Sequence, residues 1–238
     1  MAGGIRYVSA GPLSVLAILL LIALVILLIP LLILGIIGAA FTRLGLSWVV
    51  ALALVLLMLA GSFVNIPLYR IQREMIRAVP FAPEGTGRGD LFAAPPVWDT
   101  VIALNVGGGV LPTVIAAYLM IRSFTIAGQA VVIHATACAA VVLVVAFLST
   151  RDIPGLGIQV PSLVPALTAL LAGLLLSGGP GLSAAVTALA GGVIGTLAGG
   201  NLAHLLRVRE LEVPQVSIGG FGTFGAVFLC CILPALAA

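Results

Sequence analysis

Eight polar side chains interrupt otherwise apolar runs: Ser62, Asn65, Asp99, Asn105, Asn201, His204, Ser217 and Thr223. Amides and hydroxyls of this kind can hold a polar solute or a cation. A carboxylate and an imidazole can pass a proton. Unpaired polar groups in hydrocarbon cost several kcal/mol by general estimates, so they must face the interior of a helix bundle. There they either mark a site or cap helices and hydrogen-bond across interfaces. His134 stands alone in a further apolar run and reads as a packing residue with a hydrogen bond.

The remaining chemistry is sparse. Cys138, Cys230 and Cys231 lie inside apolar runs without the spacing of a metal or redox motif, so they read as packing thiols. Gly85-Thr86-Gly87-Arg88-Gly89 lacks the strand and the Lys-Ser/Thr that a phosphate loop needs. No cofactor, metal or nucleic acid is expected, and no set of residues reads as catalytic.

The elements that must position these residues follow from composition. The chain has 238 residues, 62% hydrophobic and only 7% charged. A soluble domain carries roughly a quarter of its residues as charges, so lipid must be the solvent. The expected fold is an all-α integral membrane protein, one transmembrane domain over residues 1–238 with about seven spans. These read as 13–40, 47–66, 98–121, 127–148, 162–177, 181–206 and 217–237. The first is too long for the apolar core of a signal peptide.

All ten basic residues are Arg. With seven spans, Arg6, Arg70, Arg73, Arg77, Arg88, Arg151, Arg207 and Arg209 share one side, and Arg43 and Arg122 the other. The basic side is normally cytoplasmic. That puts the N-terminus in the cytoplasm and the C-terminus outside, in the inner membrane of a prokaryote. Residues 67–97 form a cytoplasmic loop. Its first part, 68–79, groups Arg70, Arg73 and Arg77 on one side of a helical wheel, as in a short helix lying among headgroups; an ordinary linker is the alternative.

Two glycine patterns complete the reading. Gly107, Gly108 and Gly109 followed by Pro112 predict a broken helix, which lines binding sites in transporters or else admits a closely packed neighbour. Gly191, Gly195 and Gly199 recur every four residues, a face for tight helix contact, and Gly222 belongs to a further glycine-rich stretch, 219–225. The candidate polar site is therefore Asn65, Asp99, Asn105, Asn201, His204 and Thr223, all expected in the cytoplasmic half of the membrane.

Several of these segments resemble a known group. They are Gly61-Ser62-Phe63-Val64-Asn65-Ile66-Pro67-Leu68, Asn105-Val106-Gly107-Gly108-Gly109, Pro154-Gly155-Leu156-Gly157-Ile158 with Pro161, Gly195 through Leu202, and Ser217 through Phe228. Together, from about residue 55 onward, they resemble the prokaryotic membrane family catalogued as domain of unknown function 1614. The family pattern implies an Asp where this chain has Asn201, and another where it has Gly225. Such a pair is loosely similar to the presenilin-type intramembrane aspartyl proteases, in which one carboxyl is protonated and the other ionised. This chain lacks both. An amide cannot shuttle a proton, and glycine has no side chain.

The leading expectation is a non-catalytic accessory, assembly or scaffold subunit, with the bilayer and other membrane subunits or further copies of itself as partners. The alternative is a small-molecule or ion transporter with its site at 105–112. A degenerate protease-like protein is a minor third.

Overall fold

The computed structural model describes residues 12–74, 97–211 and 213–236. α1 (Pro12–Arg43) and α2 (Trp48–Gly61) form an antiparallel pair joined by a turn. Gly45 takes φ +82° in that turn, a backbone conformation open to glycine at little cost. Ser47 caps α2 by accepting from the Val50 N–H at 3.4 Å.

The chain then departs from an all-α plan. β1 (Asn65–Glu74) pairs antiparallel with β2 (Val97–Asn105), and β2 pairs parallel with β5 (Gln215–Ile218), in the order β1-β2-β5. A five-residue π-helical turn, Val106–Val110, leads from β2 into α3 (Leu111–Ala127). α4 (Gln129–Ser149) is followed by a small hairpin, β3 (Arg151–Ile153) and β4 (Gly157–Gln159). α5 (Leu163–Ser177) and α6 (Leu182–Thr196) follow; π and 3-10 segments then carry the chain to Glu210. α7 (Phe224–Leu236) closes the described chain.

Four sequence expectations are corrected. The third helix does not start at 98: residues 97–105 are the central strand of the sheet. Their backbone groups bond to β1 and β5 on either side, which satisfies them as fully as a helix would. The second helix stops at Gly61, and the seventh starts at Phe224 after a strand and a turn. Residues 68–74 lie in β1 instead of an interfacial helix; the rest of that expected helix and the loop to residue 96 lie outside the described residues.

Among the described residues, four helices are long and apolar enough to cross a membrane: Val15–Arg43, Val106–Ala127, Gln129–Ser149 and Leu182–Val208. Trp48–Gly61, Leu163–Ser177 and Phe224–Ala235 are apolar but shorter. The exposed surface of the helices is Leu, Ile, Val and Phe, the inverse of a soluble protein, and this marks a membrane protein.

α6 is the central helix, with α3, α4, α5 and α7 packed around it. It is buried along nearly its whole length, which only small residues permit. A methyl added to Gly191 would meet Cys138, one on Gly195 would meet Ala139 and Val142, and one on Gly199 would strike the Leu143 carbonyl. All four of those neighbours belong to α4. Gly192 faces Ala169 of α5 and Cys230 of α7. The three cysteines are free and buried among these contacts. α1 stands apart. Only its last third packs, through Ile37, Ala40 and Phe41, with Leu44 just after it, while the side chains from Val15 to Ile33 are exposed.

This packing sets a contrast between glycines. Gly199→Ala is expected to cost about 1–3 kcal/mol through overpacking against α4. Gly35→Ala, with open space around it, should be neutral or stabilising through helix propensity. Chemical unfolding in mixed micelles measures both; equal effects would contradict the close α4–α6 contact.

Candidate functional site: a polar seam at the strand end of the helices

β1 leaves α2, β2 enters α3, the hairpin joins α4 to α5, and β5 precedes α7. The strands therefore gather at one end of the helices. The polar side chains meet there because the turns at that end leave backbone groups without helical partners.

Asn105 ends β2 and is fully buried. Its Oδ1 accepts the Gly108 N–H at 2.8 Å, capping the π turn. Its Nδ2 donates to the Ser62 carbonyl at 2.7 Å, with the Val64 carbonyl at 3.3 Å. The same Nδ2 donates to Asn65 Oδ1 at 3.0 Å. Asn65 Oδ1 also accepts from the Ser217 hydroxyl of β5. Four segments, the α2 exit, β1, β2 and β5, are thus tied through two side-chain amides, Asn105 and Asn65.

Asn201, also fully buried, does the same one layer away. Its Oδ1 accepts the Gly219 N–H at 3.2 Å and its Nδ2 donates to Thr223 Oγ1 at 3.0 Å. The two asparagine centres join through bare backbone. A methyl on Gly108 would strike the Gly219 carbonyl, and one on Gly219 (φ +74°) would strike the Gly108 carbonyl. Gly107 lies equally close to the last turn of α2, at Met58 and Ser62. Gly109 lies against Leu104 and the Ile218 carbonyl. Gly222 (φ +84°) sits against the Ile158 carbonyl of β4, and its own carbonyl accepts the Val160 N–H at 2.8 Å.

A separate node lies at His204, which is buried. Its Nδ1 lies 2.8 and 3.0 Å from the two carboxylate oxygens of Asp152, and its Nε2 lies 3.2 Å from the Phe147 carbonyl. Both ring nitrogens thus have an oxygen partner within hydrogen-bond distance. The Phe147 ring stands 5.0 Å away, centroid to centroid. The pair ties the β3–β4 hairpin to the 3-10 segment that follows α6, beside the end of α4.

The structure thus brings Asn65, Asn105, Asn201 and Thr223 into one seam, with Ser62 and Ser217. It leaves His204 on its own node, and Asp99 exposed on β2 opposite Gln72. Asp99 stands six positions before Asn105 on the strand, roughly 20 Å away. Asp152 as the partner of His204 was not legible, because 52 positions separate them. A pocket of about 250 Å³ opens beside the seam, lined by Asn65, Gln215, Ser217, Ile158 and Phe221. No group of three or more His, Cys, Asp or Glu suited to a metal occurs among the described residues.

Chemically, the buried seam is a hydrogen-bonding lattice whose amide donors and acceptors are used within the fold. Position 225 faces Ser162: a methyl there would sit 2.7 Å from Ser162 Oγ. An acidic side chain at 225 would need Ser162 to move, and an Asn at 201 supplies no proton.

Two outcomes follow. Asn105→Ala leaves the Gly108 N–H and the Ser62 carbonyl without their partner, so stability should fall by roughly 2–4 kcal/mol; an unchanged unfolding midpoint would remove Asn105 as the tie. A double-mutant cycle on His204→Gln and Asp152→Asn should give a coupling of about 1.5–3 kcal/mol, as for hydrogen bonds to charged groups. Additivity would show the clamp to be passive.

No curated protein and no solved structure matches the chain. One family model does, described as Protein of unknown function (DUF1614), over residues 59–237. That match takes in β1, the asparagine seam, the His204 clamp and α7, and leaves out only α1 and most of α2, so the chain belongs to this family.

Proposed function

We propose that the chain is a non-catalytic, multi-pass subunit of a prokaryotic inner membrane that assembles with other membrane proteins or with copies of itself. It crosses seven times, N-terminus cytoplasmic and C-terminus outside. The strand end is then cytoplasmic, carrying Arg70, Arg73, Arg151, Arg207 and Arg209, and the α1–α2 turn is outside with Arg43 and Arg122. The pairing of all strands at one end supports that alternation.

The observation that carries the reading is the saturation of the seam. Asn105 and Asn201, the two buried amides, spend their hydrogen bonds on Gly108, Ser62, Asn65, Gly219 and Thr223. Glycine backbones close the space between them. Such an interior holds a fold together and offers nothing to a substrate. Meanwhile two thirds of α1 are apolar and free of the bundle, a surface suited to packing against another transmembrane helix.

A second reading, a carrier for a small polar solute, draws on the pocket beside Asn65, Gln215 and Ser217. Native mass spectrometry of protein released directly from its own membranes separates the two. A complex of fixed stoichiometry, dispersed when Leu20, Leu24 and Leu27 are replaced by Asn, is the expected result. A lone 24.1 kDa species, with solute flux in proteoliposomes that falls on Ser217→Ala, would overturn the accessory reading in favour of the carrier.

A further inference from the structure

The opposite end of the bundle carries an arrangement that the seam does not use. α2 and α3 face each other across a groove of about 390 Å³, lined by Leu46, Val50, Leu54, Val114, Ile115 and Tyr118. Gly45 and Ser47 form its mouth. The walls are aliphatic, and Tyr118 and Trp48 at this end are half exposed, as aromatic rings are where acyl chains meet headgroups.

Arg122 stands one helical turn beyond Tyr118 and is held at the mouth. Its Nη1 donates to the Gly45 carbonyl at 2.6 Å and to the Leu44 carbonyl at 3.3 Å. The guanidinium lies so close over Gly45 that a methyl there would collide with it. A guanidinium has five N–H donors in a fixed fork. With Nη1 engaged, the Nη2 and Nε donors remain, and no ion pair of Arg122 occurs among the described residues.

The described acidic residues Glu74, Asp99, Asp152 and Glu210 lie on β1, on β2, on β3 and at the end of the 3-10 segment before β5. These elements belong to the strand end, while Arg122 and Arg43 sit at the other. Among the described residues, the positive charge at the mouth therefore has no acidic side chain beside it.

We propose that this groove is a binding site for one anionic phospholipid of the bilayer, with an acyl chain between α2 and α3 and its phosphate on the free N–H donors of Arg122. The shape accounts for the chain, the uncompensated charge for the headgroup, and the planar fork for a phosphate oxygen pair. This site is independent of the accessory role and of the asparagine seam.

The test uses the full-length protein in detergent, titrated with phosphatidylglycerol, phosphatidylcholine or sodium phosphate. Lipid adducts are read by native mass spectrometry and stability by thermal unfolding. Phosphatidylglycerol should bind about tenfold tighter than phosphatidylcholine and raise the unfolding temperature, while phosphate alone does neither. Arg122→Gln should abolish the preference between lipids and leave tail binding. Val114→Trp, which fills the groove without touching Arg122, should remove adducts of both lipids. Equal binding of the two lipids, or a preference that survives Arg122→Gln, overturns the proposal. If Arg122→Gln does not fold, undiminished phosphatidylglycerol binding by Val114→Trp overturns it as well.

Discussion

Gly108 and Gly219 cross with their backbones in contact, and the arrangement of the strand end depends on that approach. Where β2 gives way to α3, the chain must turn without losing the hydrogen bonds of its peptide groups, and β5 must give way to α7 beside it. Two side chains at the crossing would hold these turns apart by several ångströms. The amides could then no longer reach: Asn105 bonds Gly108, and Asn201 bonds Gly219. The glycines set the distance and the asparagines lock it.

The locked crossing explains why a sheet can exist in a protein this apolar. Lipid offers no hydrogen bonds, so exposed strand edges are excluded from the hydrocarbon. Here the strands are confined to one end of the bundle, and their central member is enclosed on both sides by pairing. The hairpin beside them is fastened by the hydrogen-bonded contact between His204 and Asp152. Polar residues are thus concentrated where the backbone stops being helical, and the helices between are joined by small residues and a buried core of larger apolar ones such as Phe41, Met58, Leu119 and Leu189.

Much of this was legible in the sequence, for identifiable reasons. Gly191, Gly195 and Gly199 recur at helical spacing, and α6 with the π segment that continues it presents them to α4. Hydrocarbon excludes amides, so Asn105 and Asn201 had to face inward, and their shared depth pointed to one region. β2 was not legible. Its sequence, Val97–Asn105, is mostly apolar without a clean alternation and runs straight into the apolar residues of α3, so the two read as a single span. The triple glycine is a strand-to-helix junction instead of a break within a helix. β1 was hidden differently: its arginines recur at a spacing that fits a helical wheel, and only the partner strand decides between the two periods. Asp152 looked isolated because its partner is supplied by the tertiary fold.

α1 spans 32 residues, about 48 Å at the helical rise, against roughly 30 Å of hydrocarbon. An upright α1 would drive several turns of leucine and isoleucine into water. A lean of about 50° would hide them, beyond the usual range of tilts. Pro30 leaves the carbonyl four residues before it without its helical donor, giving the helix a place to bend partway along. A bend there would let the exposed part of α1 follow the thickness of the surrounding lipid while its last third stays packed on the bundle.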